Sequence, residues 1–218
     1  MGEKQNMRWL PVGSWEPHGG HLPYDTDTLI AVHLAQGCAK ESDTLLPAIP
    51  YGCSFEHRGL GHFVSLSVST LAALVTEIVR AASDPLVILN GHGGNQVLHS
   101  LVPELNAKGS RVLLLPNRDH WDQAYQAAGW DFRLHDDMHA GAMERSLLLV
   151  WEPNQVSETI PPDVAAADRP LFAAEGMRRY TPHGHIGFPS RASAEAGHRA
   201  IHSLLTALKE TVSTWSNE

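Results

Sequence analysis

Cysteine is scarce in this 218-residue chain: only Cys38 and Cys53 are present. They lack CxxC spacing, which excludes a disulfide-stapled secreted domain. Cations are also few. Sixteen Lys and Arg face 24 Asp and Glu, a formal charge of −8. Nucleic-acid binding needs clustered cations to neutralise phosphates, so that class is excluded. No run approaches the roughly 18 apolar residues of a membrane span. No apolar signal segment follows Met1, and a cytoplasmic location is expected. Met1–Gly2 is a weak myristoylation signal, because Asn6 stands where Ser or Thr is needed. Charged residues make up 18% and hydrophobics 43%, which excludes disorder and supplies a core. At this length one domain over residues 1–218 is expected. Histidine, by contrast, is abundant at fourteen. It is the commonest metal ligand and titrates near neutral pH.

Short apolar runs alternate with helical patterns. Leu10 to Val12, Thr44 to Ile49, Leu86 to Leu89 and Arg111 to Leu115 read as strands. Thr28 to Lys40 reads as a helix with Asp27 as its N-cap. Thr70 to Ala82 repeats apolar residues at three and four. Asn95 to Ala107 reads as a helix stopped near Gly109, with Pro103 interrupting its second half. Ala140 to Trp151 and Ala192 to Trp215 complete the helices. The proline-rich stretch from Glu152 to Pro189 reads as surface loops. Strands separated by helices imply a mainly parallel sheet covered on both faces, an α/β fold. Ligands in such folds sit beyond the carboxyl ends of the strands.

Three polar segments follow those strands. The first runs from Ser14 to Thr28 and holds Glu16, His18, His21, Asp25 and Asp27. Glu16 and His18 are two apart and share a side in extended chain. Carboxylates with imidazole suit Zn, Mn or Fe. The second is Asn90-Gly91-His92-Gly93-Gly94-Asn95. Its glycines allow close backbone approach, but the GxGxxG and Walker patterns are absent. A metal ligand at His92 fits better than a phosphate loop. The third runs from Asp136 to Ser146. His139 and Glu144 are five apart, off one helical stripe. They share a pocket if His139 precedes the helix and Glu144 lies in its second turn. The competing reading pairs Glu144 with Arg145 or a lysine. A serine nucleophile lacks GxSxG, neither cysteine has a histidine partner in sequence, and HExxH is absent. His198 and His202 on the last helix read as an exposed face. His57, His183 and His185 read as pocket mouth or surface.

Taken together, these segments resemble the creatininase family of metal-dependent amidohydrolases. Glu16 to Thr28 is similar to its E-x-H-G-x-H-L-P-x-x-T-D-T stretch. Asn90 to Asn95 matches its NGHGGN, and Asp137 to Ser146 its D-x-H-A-G-x-x-E-[TS]-S, with Arg145 where Thr is usual. Gly187 to Glu195 is similar to the closing stretch. The resemblance implies a single three-layer α/β/α domain, a homo-oligomer (usually a hexamer), and two divalent ions, Zn, Fe or Mn. It implies that Asp27 bridges the ions, Glu16 and His92 complete one site, and His18 and Glu144 the other. In creatininase a Glu two residues after the NGH histidine is a ligand. Here that residue is Gly94, which makes Glu144 the candidate. His139 matches the catalytic histidine, and Glu16 is counted with it.

Two cations would make hydroxide available near neutral pH and polarise the amide carbonyl. His139 would pass a proton to the departing nitrogen. Asp136 or Asp137 would orient a ligand or hold the substrate's amine. Gly93, Ser65 and His57 are the other expected substrate contacts. Gly93 replaces an aromatic of creatininase, which points away from creatinine. Glu56-His57-Arg58-Gly59 resembles the family's E-H-x-x-F-P-G-T segment, whose second half here reads Leu60-Gly61-His62-Phe63. The resemblance is nearer the branch that trims the mycofactocin precursor peptide. A formamide or small cyclic amide hydrolase and a non-catalytic binding subunit are the alternatives.

Overall fold

The computed structural model describes residues 6–166 and 168–216, so the Met1–Gly2 start falls outside it. Four strands form one sheet: β1 (Arg8–Val12), β2 (Thr44–Leu45), β3 (Leu86–Asn90) and β4 (Val112–Leu115). Their order is β2-β1-β3-β4 and every pairing is parallel. Arg8 to Val12 lie in register with Leu86 to Asn90.

The apolar run of β3 is buried on both faces, as expected of a central parallel strand. Alternate residues face opposite layers. Val87 and Leu89 pack with α1 (Thr26–Cys38), α4 (Arg118–Ala128), α5 (Ala142–Trp151) and α7 (Ala194–Ser216). Leu86 and Ile88 pack with α2 (Val68–Arg80) and α3 (Val97–Ala107). The three-layer α/β/α arrangement is therefore present.

Local differences from the sequence pattern have physical causes. The expected strand to Ile49 pairs only over Thr44–Leu45, with an isolated bridge from Ile49 to Val12. Pro47 lies between and offers no N–H to a ladder. Asp27 is not an N-cap: α1 starts at Thr26, and Asp27 lies inside its first turn. Helix α3 runs through Pro103, which is exposed, so the lost hydrogen bond faces solvent. Helix α4 was not evident from periodicity. Asn117 caps it, accepting from His120 N at 3.0 Å, and Gly129 ends it at φ 85°. Among its described residues the stretch 152–189 is mostly irregular, with one turn of α-helix, α6 (Phe172–Glu175), and 3-10 turns at Pro153–Gln155 and Met177–Arg179.

From β1 the chain moves outward to β2. From β3, on the other side of β1, it moves to β4. The winding reverses between β1 and β3, and such reversals open a crevice at the strands' carboxyl ends.

Candidate metal centre

Beyond Val12 the chain carries Ser14, Glu16 and His18 into that crevice, and all three are buried. Beyond Asn90 it carries His92, also buried. Asp27 enters from the first turn of α1, where the helix dipole favours a carboxylate. Gly91 makes this convergence possible. A Cβ there would lie 2.1 Å from the Asp27 carbonyl oxygen, so any side chain would push α1 away.

The carboxylate of Asp27 sits between two imidazoles. Its Oδ2 is 2.9 Å from His92 Nδ1 and accepts from Ser14 Oγ at 2.6 Å. Its Oδ1 is 3.2 Å from His18 Nε2. Glu16 Oε1 lies 3.0 Å from His57 Nε2, 3.3 Å from His92 Nδ1 and 3.8 Å from His139 Nδ1. Glu144 Oε2 is 3.9 Å from His18 Nε2. Glu144 sits in the first turn of α5, not the second, and His139 precedes that helix. Ala140 adopts φ 48° and donates its N–H to Glu144 Oε2 at 2.7 Å. No Lys or Arg pairs with Glu144 among the described residues.

These side chains fit a metal pair. Ligand atoms of Glu16, Asp27 and His92 lie within 4.8 Å of one another, and so do those of His18, Asp27 and Glu144. Asp27 belongs to both groups. Both Glu16 oxygens are fully buried with no well-directed hydrogen bond, although imidazoles surround them. Leaving a buried carboxylate unsatisfied is costly. Donors aimed at a common space rather than at each other are what a cation needs.

The protonation pattern follows from crowding. Burial opposes charge on Glu16, but His92 and His57 outweigh it and hold its pKa at about 2. Burial likewise opposes charge on His18, yet Asp27 raises it to about 9. Glu144 is pushed up to about 8, chiefly by burial, with His18 opposing. Burial, then His18 and His57, hold His139 well below the usual imidazole range. Its Nε2 lies 2.9 Å from the Pro17 carbonyl. A neutral ring therefore donates there and leaves the Nδ1 lone pair facing Glu16.

The remaining expected contacts separate. His57 is buried and forms the inner wall beside Glu16; His185 is buried too, not at the surface. Gly93 is exposed and lines a cleft with two adjoining lobes of about 530 and 720 Å³. The lobes share His92, Gly93, Met138, Glu144 and Phe172, and the larger is lined further by Arg118, Trp121 and Arg169. Asp137 is buried, and its carboxylate accepts from Ala142 N, Met143 N, Phe188 N and Tyr125 Oη. It anchors the start of α5 from the wall of the larger lobe, each oxygen already accepting two hydrogen bonds. Asp136 lies outside the residues lining the lobes and accepts a long hydrogen bond from Arg133 N. Ser65 Oγ accepts from Ser54 N at 2.8 Å and holds a loop. Glu56 is the site carboxylate that spacing did not single out; its signal was adjacency to His57.

A family model described as creatininase, creatinine amidohydrolase, matches residues 2–212. The mycofactocin precursor peptide peptidase of Mycolicibacterium smegmatis is 33% identical over 225 residues, covering 96% of this chain and 85% of its own. The creatinine amidohydrolase of Pseudomonas putida is 26% identical over 232 residues, covering 93% and 87%. The crystal structure of a creatinine amidohydrolase superposes at a TM-score of 0.82 and 24% identity, covering 96% of this chain and 90% of that one. At that identity the likeness speaks for the fold.

Proposed function

The chain belongs to the creatininase family of amidohydrolases, which act on C–N bonds, and we propose that it is a peptidase that trims a ribosomally made precursor peptide of the mycofactocin type. The observation that carries this reading is a buried acid–imidazole cluster at the floor of a two-lobed cleft. A second lobe adjoining the one that holds the cluster leaves room for a chain running past the scissile bond. The higher identity to the peptidase than to the creatinine amidohydrolase supports the same choice.

Glu16, Asp27 and His92 would hold one divalent ion, and His18, Asp27 and Glu144 the other, with Zn, Fe or Mn suited to this donor set. When bound, such ions supply an activated water and polarise the amide carbonyl. His139 starts neutral with its Nδ1 lone pair free, so it takes up at Nδ1 the proton that the attacking water gives up. It then delivers that proton to the departing nitrogen. The Pro17 carbonyl holds the ring in place for both steps. Glu16 gathers His57 and His92 around one carboxylate oxygen, with His139 Nδ1 farther off at 3.8 Å. His57, Met138 and Phe172 line the cleft floor and wall and limit water access. Apolar Phe55 and Val68, 55% and 59% exposed, suit burial in a homo-oligomer, for which a hexamer is proposed.

The test is incubation of the metal-loaded protein with a mycofactocin-type precursor peptide, a formamide and creatinine, read by mass spectrometry. Peptide cleavage that disappears in Asp27→Ala is expected. Hydrolysis of the small amides alone would overturn the peptidase reading.

A further inference from the structure

Glu56 belongs to a short 3-10 turn, Phe55–His57, on the rim of the cluster. Its side chain is 19% exposed and its Oε1 lies 3.4 Å from His92 Nε2. Ligand atoms of Glu16, Glu56 and His57 lie within 4.8 Å of one another. It therefore adds a carboxylate to the Glu16 end of the centre. No Lys or Arg pairs with it among the described residues. His92 does not need it as an acceptor either. The Nε2 of that ring is 3.0 Å from the Cys53 carbonyl, and its Nδ1 faces Asp27 and Glu16.

Gly94 shows how the space is used. A Cβ at that residue would lie 2.3 Å from Glu56 Oε1, 2.4 Å from His92 Nε2 and 2.2 Å from the Cys53 carbonyl oxygen. The Cys53 carbonyl and the His92 ring already exclude a side chain there, and Glu56 Oε1 fills the same space. The carboxylate occupies the volume where a side chain at 94 would begin.

We infer that Glu56 is a ligand of the ion at the Glu16 end of the centre, entering on the His57 side and supplied across the crevice by the 52–57 loop. This rests on the two-ion reading of the cluster. It makes the two ends unequal. Three carboxylates and an imidazole serve one ion, while two carboxylates and an imidazole serve the other. Oxygen-rich donor sets favour harder cations such as Mn over Zn.

The experiment titrates the metal-free full chain with Co²⁺ and with Mn²⁺. Calorimetry gives stoichiometry and affinity, and the visible Co²⁺ spectrum reports coordination without any turnover. Wild type is expected to bind two ions. Glu56→Gln is expected to weaken one of them by well over 100-fold, beyond the roughly 10–100-fold that supporting residues cost, and to change the Co²⁺ bands. Asp27→Asn should weaken both. Glu56→Asp, shorter by one methylene, guards against a folding defect and should weaken the same ion. Wild-type isotherms and spectra in both Glu56 variants, with Asp27→Asn impaired, would overturn the Glu56 role and leave the two-ion centre standing. A wild-type protein that binds no ion would overturn both.

Discussion

His92 Nδ1 stands 2.9 Å from Asp27 Oδ2, joining the exit of β3 to the first turn of α1 across the crevice. The other Asp27 oxygen faces His18. One carboxylate thus couples both halves of the cluster. Asp27→Asn keeps the size but removes the charge both halves share. Adding Zn²⁺ or Mn²⁺ at about 100 times its dissociation constant should stabilise the wild type by about 2.7 kcal/mol for each ion bound. In a chain of this size each ion raises the melting midpoint by about 8 °C. The variant should show little of that rise by differential scanning fluorimetry.

His139 is anchored by Pro17 and faces the cluster without being at its centre. His139→Gln should retain metal uptake while kcat falls about 10²–10⁴-fold, the usual range for a lost proton-transfer group. Metal analysis beside steady-state kinetics separates the two. Loss of metal together with activity would assign His139 to the ligands instead.

Asp137 has a different expected phenotype. Two donors converge on each of its oxygens. In Asp137→Asn an NH₂ group must face two of those donors. The loss should be about 2 kcal/mol, or about 6 °C in the midpoint. Substrate KM should stay close to wild type once the protein is folded. A raised KM at unchanged stability would restore a substrate contact.

Two buried histidines away from the cluster set an acid limit. Burial lowers the pKa of His120 and of His185 below the ordinary value of 6.5. The unfolded chain therefore binds protons that the folded chain resists. This stability is complete above pH about 6.5 and is lost as pH falls towards the folded pKa values. Their share of the melting midpoint should fall between about pH 7.5 and 5, while His18 and Glu144, whose pKa values are raised, act in the opposite direction. The drop should be smaller in His120→Gln, whose side chain still reaches towards Thr211. An equal drop in that variant would remove His120 from the account.

Parts of the site were legible because chemistry and chain direction coincide. Glu16, His18 and His92 follow strands that an apolar run already marks, so their place beyond the sheet could be read. Glu144 and His139 were harder, since five residues separate them and the bend at Ala140 brings them to one pocket. Helix α4 escaped notice because its first turns are polar and its signals are a cap and a terminal glycine.

Periodicity and residue type by themselves determined the layered α/β fold, the buried β3 strand and the acid–imidazole character of the segments after β1 and β3. These are local properties, carried by spacing that a single chain displays. Only the tertiary structure decided which oxygens meet which nitrogens. It tied Asp137, on the wall of the larger lobe, into hydrogen bonds at the start of α5 and brought Glu56 to the cluster. Those outcomes depend on close packing between distant segments: the missing side chains of Gly91 and Gly94 set how near α1 and the 52–57 loop can come. Sequence spacing does not encode that distance.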